Sequence, residues 1–519
     1  MEPSFISMAA TLSSLLLLYC ALTVVHVVWW RPRMIEKQLK KQGIKGRPYK
    51  VLRGDLSDIV KIMKEALSKP MELHHHISPR ALPFVHSTVE QFGKLSIIWY
   101  GKNPRIIIQD VELIKEVLAN KNGNFLKPLL NPLQRLLAEG VSLVEGDKWV
   151  QHRNILNPAF HLAKLKGMVP AFCTSCSEMI SKWEMLFGPE GSCELDVWIE
   201  LKALTADVIS RTAFGSNYRE GQKVFEFQQE QIQLMMEASW IPYIPGFRFL
   251  PTKKNRRRYY LDNEIKAIIR SLIHKKEKSM EVGESGGEDL LSLLLQSNHN
   301  VHENAANGLK LEGLTIDEVI EECKLFYFAG HDTTSSLLTW TLILLSMYPA
   351  WQTRAREEVH RICGKNMPDY ESIGQFKIVT MILHEVLRLY PPVTGQYRHV
   401  YHETKLGELS LPAGVDLFVP SLLVYHDPEI WGEDCKEFNP QRFSEGVLKA
   451  TKNQFVYFPF GFGQRTCIGQ NFAMIEAKIA LAMMLQHFSF DLSPSYAHCP
   501  YSLITLQPQH GAQLIVHRL

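Results

Sequence analysis

The chain has 519 residues, of which 46% are hydrophobic, so it is long enough for a large core and more than one structural lobe. A formal net charge of +3 gives no global electrostatic reason to expect nucleic-acid binding. Nine cysteines in so long a chain do not make the dense framework of a disulfide-stabilised secreted domain.

Residues 1–31 are predicted to be a membrane anchor. No charged residue lies between Glu2 and Arg31, and this stretch is rich in Leu, Val and Ala. Roughly twenty such residues span a bilayer as a helix, and the stretch is longer than the apolar core of a cleavable signal. Trp29 and Trp30 are typical of the membrane interface, and the basic residues that follow predict a cytosolic C-terminal side. A buried core helix is the alternative, which the N-terminal position and the one-sided basic flank disfavour.

A basic, proline-containing hinge is predicted over residues 32–50, followed by one folded domain over residues 51–519. The domain has mostly helical patterns, no internal repeat and no second domain with a signature of its own. Short apolar strand patterns predict hairpins over residues 96–109 and 406–419. The predicted fold class is therefore mainly α with small β-sheets (α+β), preceded by one transmembrane helix.

Trp149 and Arg153 are four residues apart, so they are predicted to share one face of a helix. Together they could reach one anionic group. A solvated arginine beside a packed tryptophan is the alternative, and it would be favoured if this motif stood alone.

A long helix is predicted to begin at Thr315, where Glu318 completes a capping box, and to end near Pro349. At its centre, small residues precede an acid and an alcohol in the segment Ala329-Gly330-His331-Asp332-Thr333-Thr334. The small residues would let a flat ligand lie against the backbone. The acid and the alcohol would hold a proton path beside it, because Thr hydroxyls can bond helix carbonyls and open a water site. By itself, this segment is either a structural polar kink or a functional one.

Glu385 and Arg388 are predicted to face the same way on another helix, and isolated pairs of this kind contribute only about 0.5 kcal/mol. The C-terminal residues 460–469 hold a cysteine between glycines, which could present one thiolate to a flat cofactor. Arg465 supplies forked donors suited to a carboxylate, and Phe460 could keep water from the sulfur. An ordinary buried cysteine in a Gly-rich turn is the alternative.

These segments resemble the signature motifs of the cytochrome P-450 superfamily. Residues 460–469 match F-x-x-G-x-R-x-C-x-G, and residues 329–334 match A-G-x-[DE]-T-T. W-x-x-x-R at 149–153 and E-x-x-R at 385–388 stand in the family's order. The chain further resembles plant clan seventy-two, most closely its family seventy-two, subfamily A. It departs from many members of that subfamily at 331–332, where His-Asp replaces Gln-Glu.

The resemblance implies haem b, with Cys467 as the axial ligand of the iron and therefore the metal ligand. The cofactor-binding residues that it implies are Cys467, Arg465, Phe460, Gly463, Trp149, Arg153, Arg398, Ala329 and Gly330. The catalytic residues that it implies are Asp332 and Thr333. The structural residues behind the haem that it implies are Glu385, Arg388 and Arg442.

The resemblance also implies a haem-thiolate monooxygenase that hydroxylates or further oxidises a lipophilic, terpenoid-derived substrate (a triterpenoid, an iridoid or a plant hormone) with O2. Electrons from NADPH would arrive through an NADPH-cytochrome P-450 reductase on the cysteine side, with Lys148, His152 and Lys452 as candidate contacts. The implied location is the endoplasmic reticulum membrane, crossed once, with the catalytic domain in the cytosol. The alternatives are an oxygen-independent haem-thiolate isomerase or dehydratase, and a non-catalytic haem- or ligand-binding protein. The presence of both Asp332 and Thr333 disfavours them.

Overall fold

The computed structural model describes residues 2–120, 122–128, 130–216, 218–239, 244–282, 289–297, 313–452 and 454–519, with side chains except at 2–6 and 218–220. The main helices are α1 (Glu2–Val25), α2 (Arg31–Lys41), α3 (Leu56–Leu67), α4 (Pro83–Phe92), α5 (Val111–Ala119), α6 (Gly146–Leu156), α7 (Leu162–Glu184), α8 (Val197–Phe214), α9 (Tyr218–Ser239), α10 (Lys253–Glu281), α11 (Ile316–Met347), α12 (Pro349–Cys363), α13 (Ile378–Leu389) and α14 (Gln470–His487). Shorter helical segments are Ser78–Ala81, Gly140–Leu143, Tyr370–Gln375, Ser421–Tyr425, Pro428–Trp431 and Val447–Ala450.

The strands are β1 (Lys45–Gly46), β2 (Leu95–Tyr100), β3 (Asn103–Ile108), β4 (Phe125–Leu126), β5 (Ser192–Asp196), β6 (Gln396–Val400), β7 (Thr404–Leu406), β8 (Leu409–Leu411), β9 (Val415–Val419), β10 (Phe488–Leu492), β11 (Pro500–Ser502), β12 (Leu506–Pro508) and β13 (Gln513–Arg518). They form a six-stranded sheet in the order β1-β2-β3-β9-β6-β4, a three-stranded sheet β10-β13-β5, and the hairpins β7-β8 and β11-β12. The predicted fold class is confirmed.

The two predicted hairpins have different outcomes. The hairpin over residues 96–109 is β2 paired antiparallel with β3. The hairpin over residues 406–419 is wrong, because the chain turns earlier, at Gly407 with φ +54°. Strands β7 and β8 pair around that turn, and β9 instead joins the large sheet between β3 and β6.

The N-terminal segment is one uninterrupted helical rod. Helix α1 continues through a π-helical segment, His26–Trp30, directly into α2. Residues Ser7–Lys41 have a mean hydropathy of 2.0 in their most apolar window, which is 0% buried. This helix is long and apolar enough to cross a membrane, and it fits the predicted anchor.

Helix α2, which begins the predicted hinge, packs on the large sheet. Ile35 and Leu39 are buried in a core shared with β7, β8 and β9. The Gln42 side chain receives a hydrogen bond from the Ser410 backbone N–H at 2.6 Å and donates to the Ser410 carbonyl at 2.9 Å. Arg31 Nη2 donates to the Ala413 carbonyl at 3.0 Å. These contacts attach the segment after the anchor to the folded body.

Helix α11 crosses the main core and packs most closely against α8. The predicted capping box is present, with the Thr315 backbone N–H donating to Glu318 Oε2 at 2.8 Å and the Glu318 N–H donating to Thr315 Oγ1 at 3.3 Å. The helix ends at Met347, just before Pro349. Its middle lies between α8 and the C-terminal hairpin β11-β12, which positions the residues described next.

Candidate active site

The loop before α14 presents Cys467. The Cys467 backbone N–H donates to the Phe460 carbonyl at 2.8 Å and closes the loop. Gly463 has a φ of +69°, and a Cβ there would lie 2.5 Å from the Leu118 carbonyl oxygen, so glycine is required twice over. The Cys467 side chain is accessible, although burial of its surroundings raises the pKa of the thiol. The Gly469 N–H and Arg153 act in the opposite direction.

Two arginines lie close together here, Arg465 within this loop and Arg398 from a distant part of the chain. The Arg465 guanidinium lies over the Trp149 ring, 4.4 Å from its centroid, pairs with Glu145 and donates to the Val144 carbonyl at 2.9 Å. Arg398 on β6 is buried and donates to the Tyr397 carbonyl at 2.8 Å. Trp149 and Arg465 thus stack on each other, a contact that the sequence did not predict.

Lys127, just after β4, is a third cation in this cluster and was missed from the sequence. Burial, Arg398 and Arg465 lower the pKa of Lys127 to about 7, and Glu145 acts in the opposite direction. Burial and Arg465 lower the pKa of Arg398 to about 10. Both pKa values are lowered because like charges lie close together in poorly solvated surroundings. Such a cluster of cations favours the binding of further anionic groups. The sequence does carry one signal for this role, since Lys127 is a charged residue near the start of an apolar stretch over residues 125–144.

The two predicted catalytic residues at the centre of α11, Asp332 and Thr333, lie in different surroundings. Thr333 is half-buried and its Oγ1 donates to the Ala329 carbonyl at 2.9 Å. Asp332 is 1% exposed, and its Oδ1 lies 3.5 Å from Lys202 Nζ on α8. At Gly330, a Cβ would lie 2.7 Å from the Ile209 side chain, so this glycine also permits the close packing of α8 on α11. The acid and the alcohol therefore have separate partners.

Comparison with known proteins decides the family. A family model described as "Cytochrome P450" matches residues 75–515. The chain belongs to the cytochrome P-450 family. It is 53% identical over 493 residues to Cytochrome P450 CYP72A616 from Paris polyphylla, covering 95% of each chain. The resemblance to family seventy-two, subfamily A is confirmed, and the chain is a cytochrome P-450 monooxygenase.

Two further relatives carry names that state a reaction. The chain is 49% identical over 523 residues to the 7-deoxyloganic acid hydroxylase of Catharanthus roseus, covering 100% of each chain. It is 50% identical over 499 residues to the 11-oxo-beta-amyrin 30-oxidase of Glycyrrhiza uralensis, covering 96% of this chain and 95% of that one.

The residues of this cytochrome P-450 fit the haem-thiolate cofactor that the family implies. Cys467 is an accessible soft ligand of the kind that binds haem iron. The crowded cations Arg398, Arg465 and Lys127 match the two carboxylates of a haem, which would offset their mutual repulsion. Arg153 is close enough to Cys467 to act on the pKa of its thiol, so it belongs to the same site.

The structure also brings together the three residues assigned to architecture. Arg388 Nη2 lies 2.7 Å from Glu385 Oε1, and Arg442 Nε lies 3.8 Å from the same oxygen. Arg442 is held additionally by Asp434, 2.7 Å from its Nη2. None of the three approaches the cysteine loop by a hydrogen bond among the described residues.

One candidate reductase contact is wrong. His152 is 2% exposed, and its Nδ1 lies 2.5 Å from Glu322 Oε1 in the interior. The face of α6 that carries His152 packs against α11, which a single helix pattern could not reveal. Lys148 is half-exposed and pairs with Glu318 at 2.7 Å. It remains a predicted contact, as does Lys452.

Proposed function

We propose that this monooxygenase hydroxylates or further oxidises a lipophilic, terpenoid-derived substrate with O2 and electrons from NADPH. The main support is that the chain has both an accessible thiol at Cys467 and an acid and an alcohol at 332–333 on α11. The substrate class is supported by the relatives named for 7-deoxyloganic acid and 11-oxo-beta-amyrin. A triterpenoid, an iridoid or a plant hormone fits this class.

Bound haem would supply the activation of O2. Cys467 would hold the iron, and Arg153, Arg398 and Arg465 would hold the propionates, with Trp149 supporting Arg465. Phe460, whose carbonyl accepts from the cysteine backbone, would fix the loop geometry around the sulfur.

The proposed proton path uses two side chains of α11. The Thr333 hydroxyl carries a proton that it now donates to the Ala329 carbonyl, and it can rotate to donate elsewhere. Asp332 would relay a proton to Thr333, since a positioned carboxylate can accept a proton from one partner and pass it to another. Thr333 would then be the last proton donor of this path, and Asp332 the donor to Thr333.

The proposed location is the endoplasmic reticulum membrane, with one crossing and a cytosolic catalytic domain. The exposed apolar helix and the basic residues that follow it support this orientation. An NADPH-cytochrome P-450 reductase in the same membrane would supply electrons on the side of the cysteine loop.

The function is tested in microsomes that contain the chain and a reductase, with a panel of iridoids, triterpenoids and plant hormones. We expect NADPH and O2 consumption with an oxygenated product detected by mass spectrometry. Cys467→Ala should remove the ferrous-CO absorbance typical of thiolate ligation, whereas Cys193→Ala, at a half-buried cysteine on β5, should keep it. An intact thiolate band without NADPH consumption on any compound would favour the isomerase, dehydratase or binding alternatives.

A further inference from the structure

Both carboxylate oxygens of Asp332 are engaged by residues far away in the sequence. Thr505 Oγ1 donates to Asp332 Oδ2 at 2.5 Å, and Gln507 Nε2 lies 3.4 Å from the same oxygen. Lys202 Nζ lies 3.5 Å from Oδ1. An acid with this set of partners is held in one orientation.

Thr505 is the central member of this group. Its hydroxyl donates its one proton to Asp332 and accepts a hydrogen bond from Gln507 Nε2 at 2.9 Å. Thr505 and Asp332 are each 1% exposed. In such surroundings a charge-assisted hydrogen bond is strong and its loss is costly, so the orientation of the carboxylate depends on this hydroxyl.

The hairpin β11-β12 does not need Thr505 for its attachment. The Leu506 carbonyl accepts from Ser336 Oγ at 2.6 Å and from Trp340 Nε1 at 3.0 Å, both on α11. The Leu506 backbone N–H donates to the Pro392 carbonyl at 2.9 Å. These contacts already hold the hairpin in place, so its attachment does not depend on the bond from Thr505 to Asp332 alone.

We propose that Thr505 and Gln507 are positioning residues for proton delivery, which fix the orientation of the Asp332 carboxylate relative to Thr333. This rests on the proposed function, since it takes Asp332 as the proton donor to Thr333. The other titratable groups that face Asp332 are Lys202 on α8, Tyr501 on β11 and the adjacent His331, which packs against Phe225 of α9.

The test compares Thr505→Val, which removes the hydroxyl at nearly constant shape, with Thr505→Ser, which keeps it. Thr341→Val is the matched control, because Thr341 is a buried threonine of α11 whose hydroxyl donates only to the Leu337 carbonyl at 2.7 Å. Holoenzyme with reductase is supplied with NADPH from pH 6 to 8.5. The fraction of NADPH recovered as hydrogen peroxide is measured without an added compound, and with 7-deoxyloganic acid or 11-oxo-beta-amyrin.

We expect Thr505→Val to change that fraction by at least about twofold and to shift its pH dependence, since proton delivery decides between peroxide and water or product. Thr505→Ser and Thr341→Val should follow the wild type. A Thr505→Val enzyme with a lower Tm but an unchanged fraction and pH profile would overturn the proposal in favour of a structural role. If Thr505→Val does not fold, Gln507→Leu takes its place with the same expectation.

A second readout does not use turnover. The Tm values of Thr505→Val, Asp332→Asn and the double variant form a cycle in which the two single shifts should fail to add. Additive shifts would overturn the proposal. If the wild-type holoprotein consumes no NADPH, the proposed function fails, and this cycle alone decides whether Thr505 holds Asp332.

Discussion

Glu385 and Arg388 form an ion pair with neither side chain exposed, and 2.7 Å separates Arg388 Nη2 from Glu385 Oε1. Arg388 Nη1 also donates to the carbonyls of Tyr425 and Cys435 at 2.9 and 2.6 Å. Glu385 Oε1 accepts from the Asn439 backbone N–H at 3.0 Å. The pair therefore joins α13 to the segment of chain that precedes the cysteine loop, and its polar atoms have partners that replace water.

Arg388→Ala should reduce the stability of the domain by about 3–5 kcal/mol, because it leaves the Glu385 charge buried and alone. Arg388→Lys should recover little, since an ammonium cannot reach both the carboxylate and the two carbonyls. The measurements are the Tm and the yield of protein with a ferrous-CO thiolate band. Lys449→Ala is the control, since its ion pair with Glu445 is exposed (71% and 70%) and should contribute under about 1 kcal/mol. Equal effects of Arg388→Ala and Lys449→Ala would contradict the structural role.

Two helical glycines should respond oppositely to the same substitution. Gly330→Ala on α11 would drive a Cβ to 2.7 Å from Ile209, so we expect a loss of stability of about 1–3 kcal/mol and a displaced α8. Gly167→Ala on α7 meets nothing within 4 Å and should gain up to about 1 kcal/mol, because alanine has the higher helix propensity. Thermal unfolding of both variants checks the signs. If the Gly330→Ala protein were as stable as the Gly167→Ala protein, α8 and α11 could move apart without a loss of stability, which would contradict this account.

Local signals explain what could be predicted from the sequence. The start of α11 could be predicted because it depends on Thr315 and Glu318, which are three residues apart. The cysteine loop could be predicted because its residues all lie within one stretch of ten. The second hairpin was placed wrongly because the choice between the turn at Gly407 and a later one depends on which strand β9 joins. His152, Lys127 and Thr505 gained their roles from partners in other parts of the chain. No pattern along one segment reveals such partners.

Lys127→Met should weaken haem retention without unfolding the domain. The lysine is crowded by Arg398 and Arg465, and the anionic carboxylates of a haem would favour its charged form. We expect a faster loss of haem to an acceptor protein, on the order of several-fold, while Lys127→Arg should hold haem as the wild type does. Lys115→Met, at an exposed lysine of α5, serves as the control. A Tm of the haem-free protein raised by Lys127→Met would fit this account, because the substitution removes repulsion among the cations.

His75 makes the stability of the domain depend on pH. Its Nδ1 lies 2.9 Å from the Tyr390 hydroxyl and its Nε2 lies 2.8 Å from the Tyr348 hydroxyl. Burial, with smaller contributions from Arg388 and His74, lowers the pKa of His75 to about 4. The unfolded chain, with an ordinary pKa near 6.5, therefore binds more protons than the folded one between these values. The contribution of His75 is complete above pH 6.5 and is lost as the pH falls towards 4.

His75→Gln should flatten this dependence, because glutamine can bond a tyrosine hydroxyl but does not titrate. At pH 7.5 we expect the variant to be less stable than the wild type by about 1 kcal/mol, from poorer hydrogen bonds to Tyr390 and Tyr348. Between pH 6.5 and 4 the difference should shrink or reverse, since the wild type loses on the order of 1–3 kcal/mol there and the variant does not. The measurement is Tm against pH in detergent, with His402→Gln, at an exposed histidine, as the control. Curves for His75→Gln and the wild type that stay parallel down to pH 4 would show that His75 keeps an ordinary pKa in the folded protein, which its burial argues against.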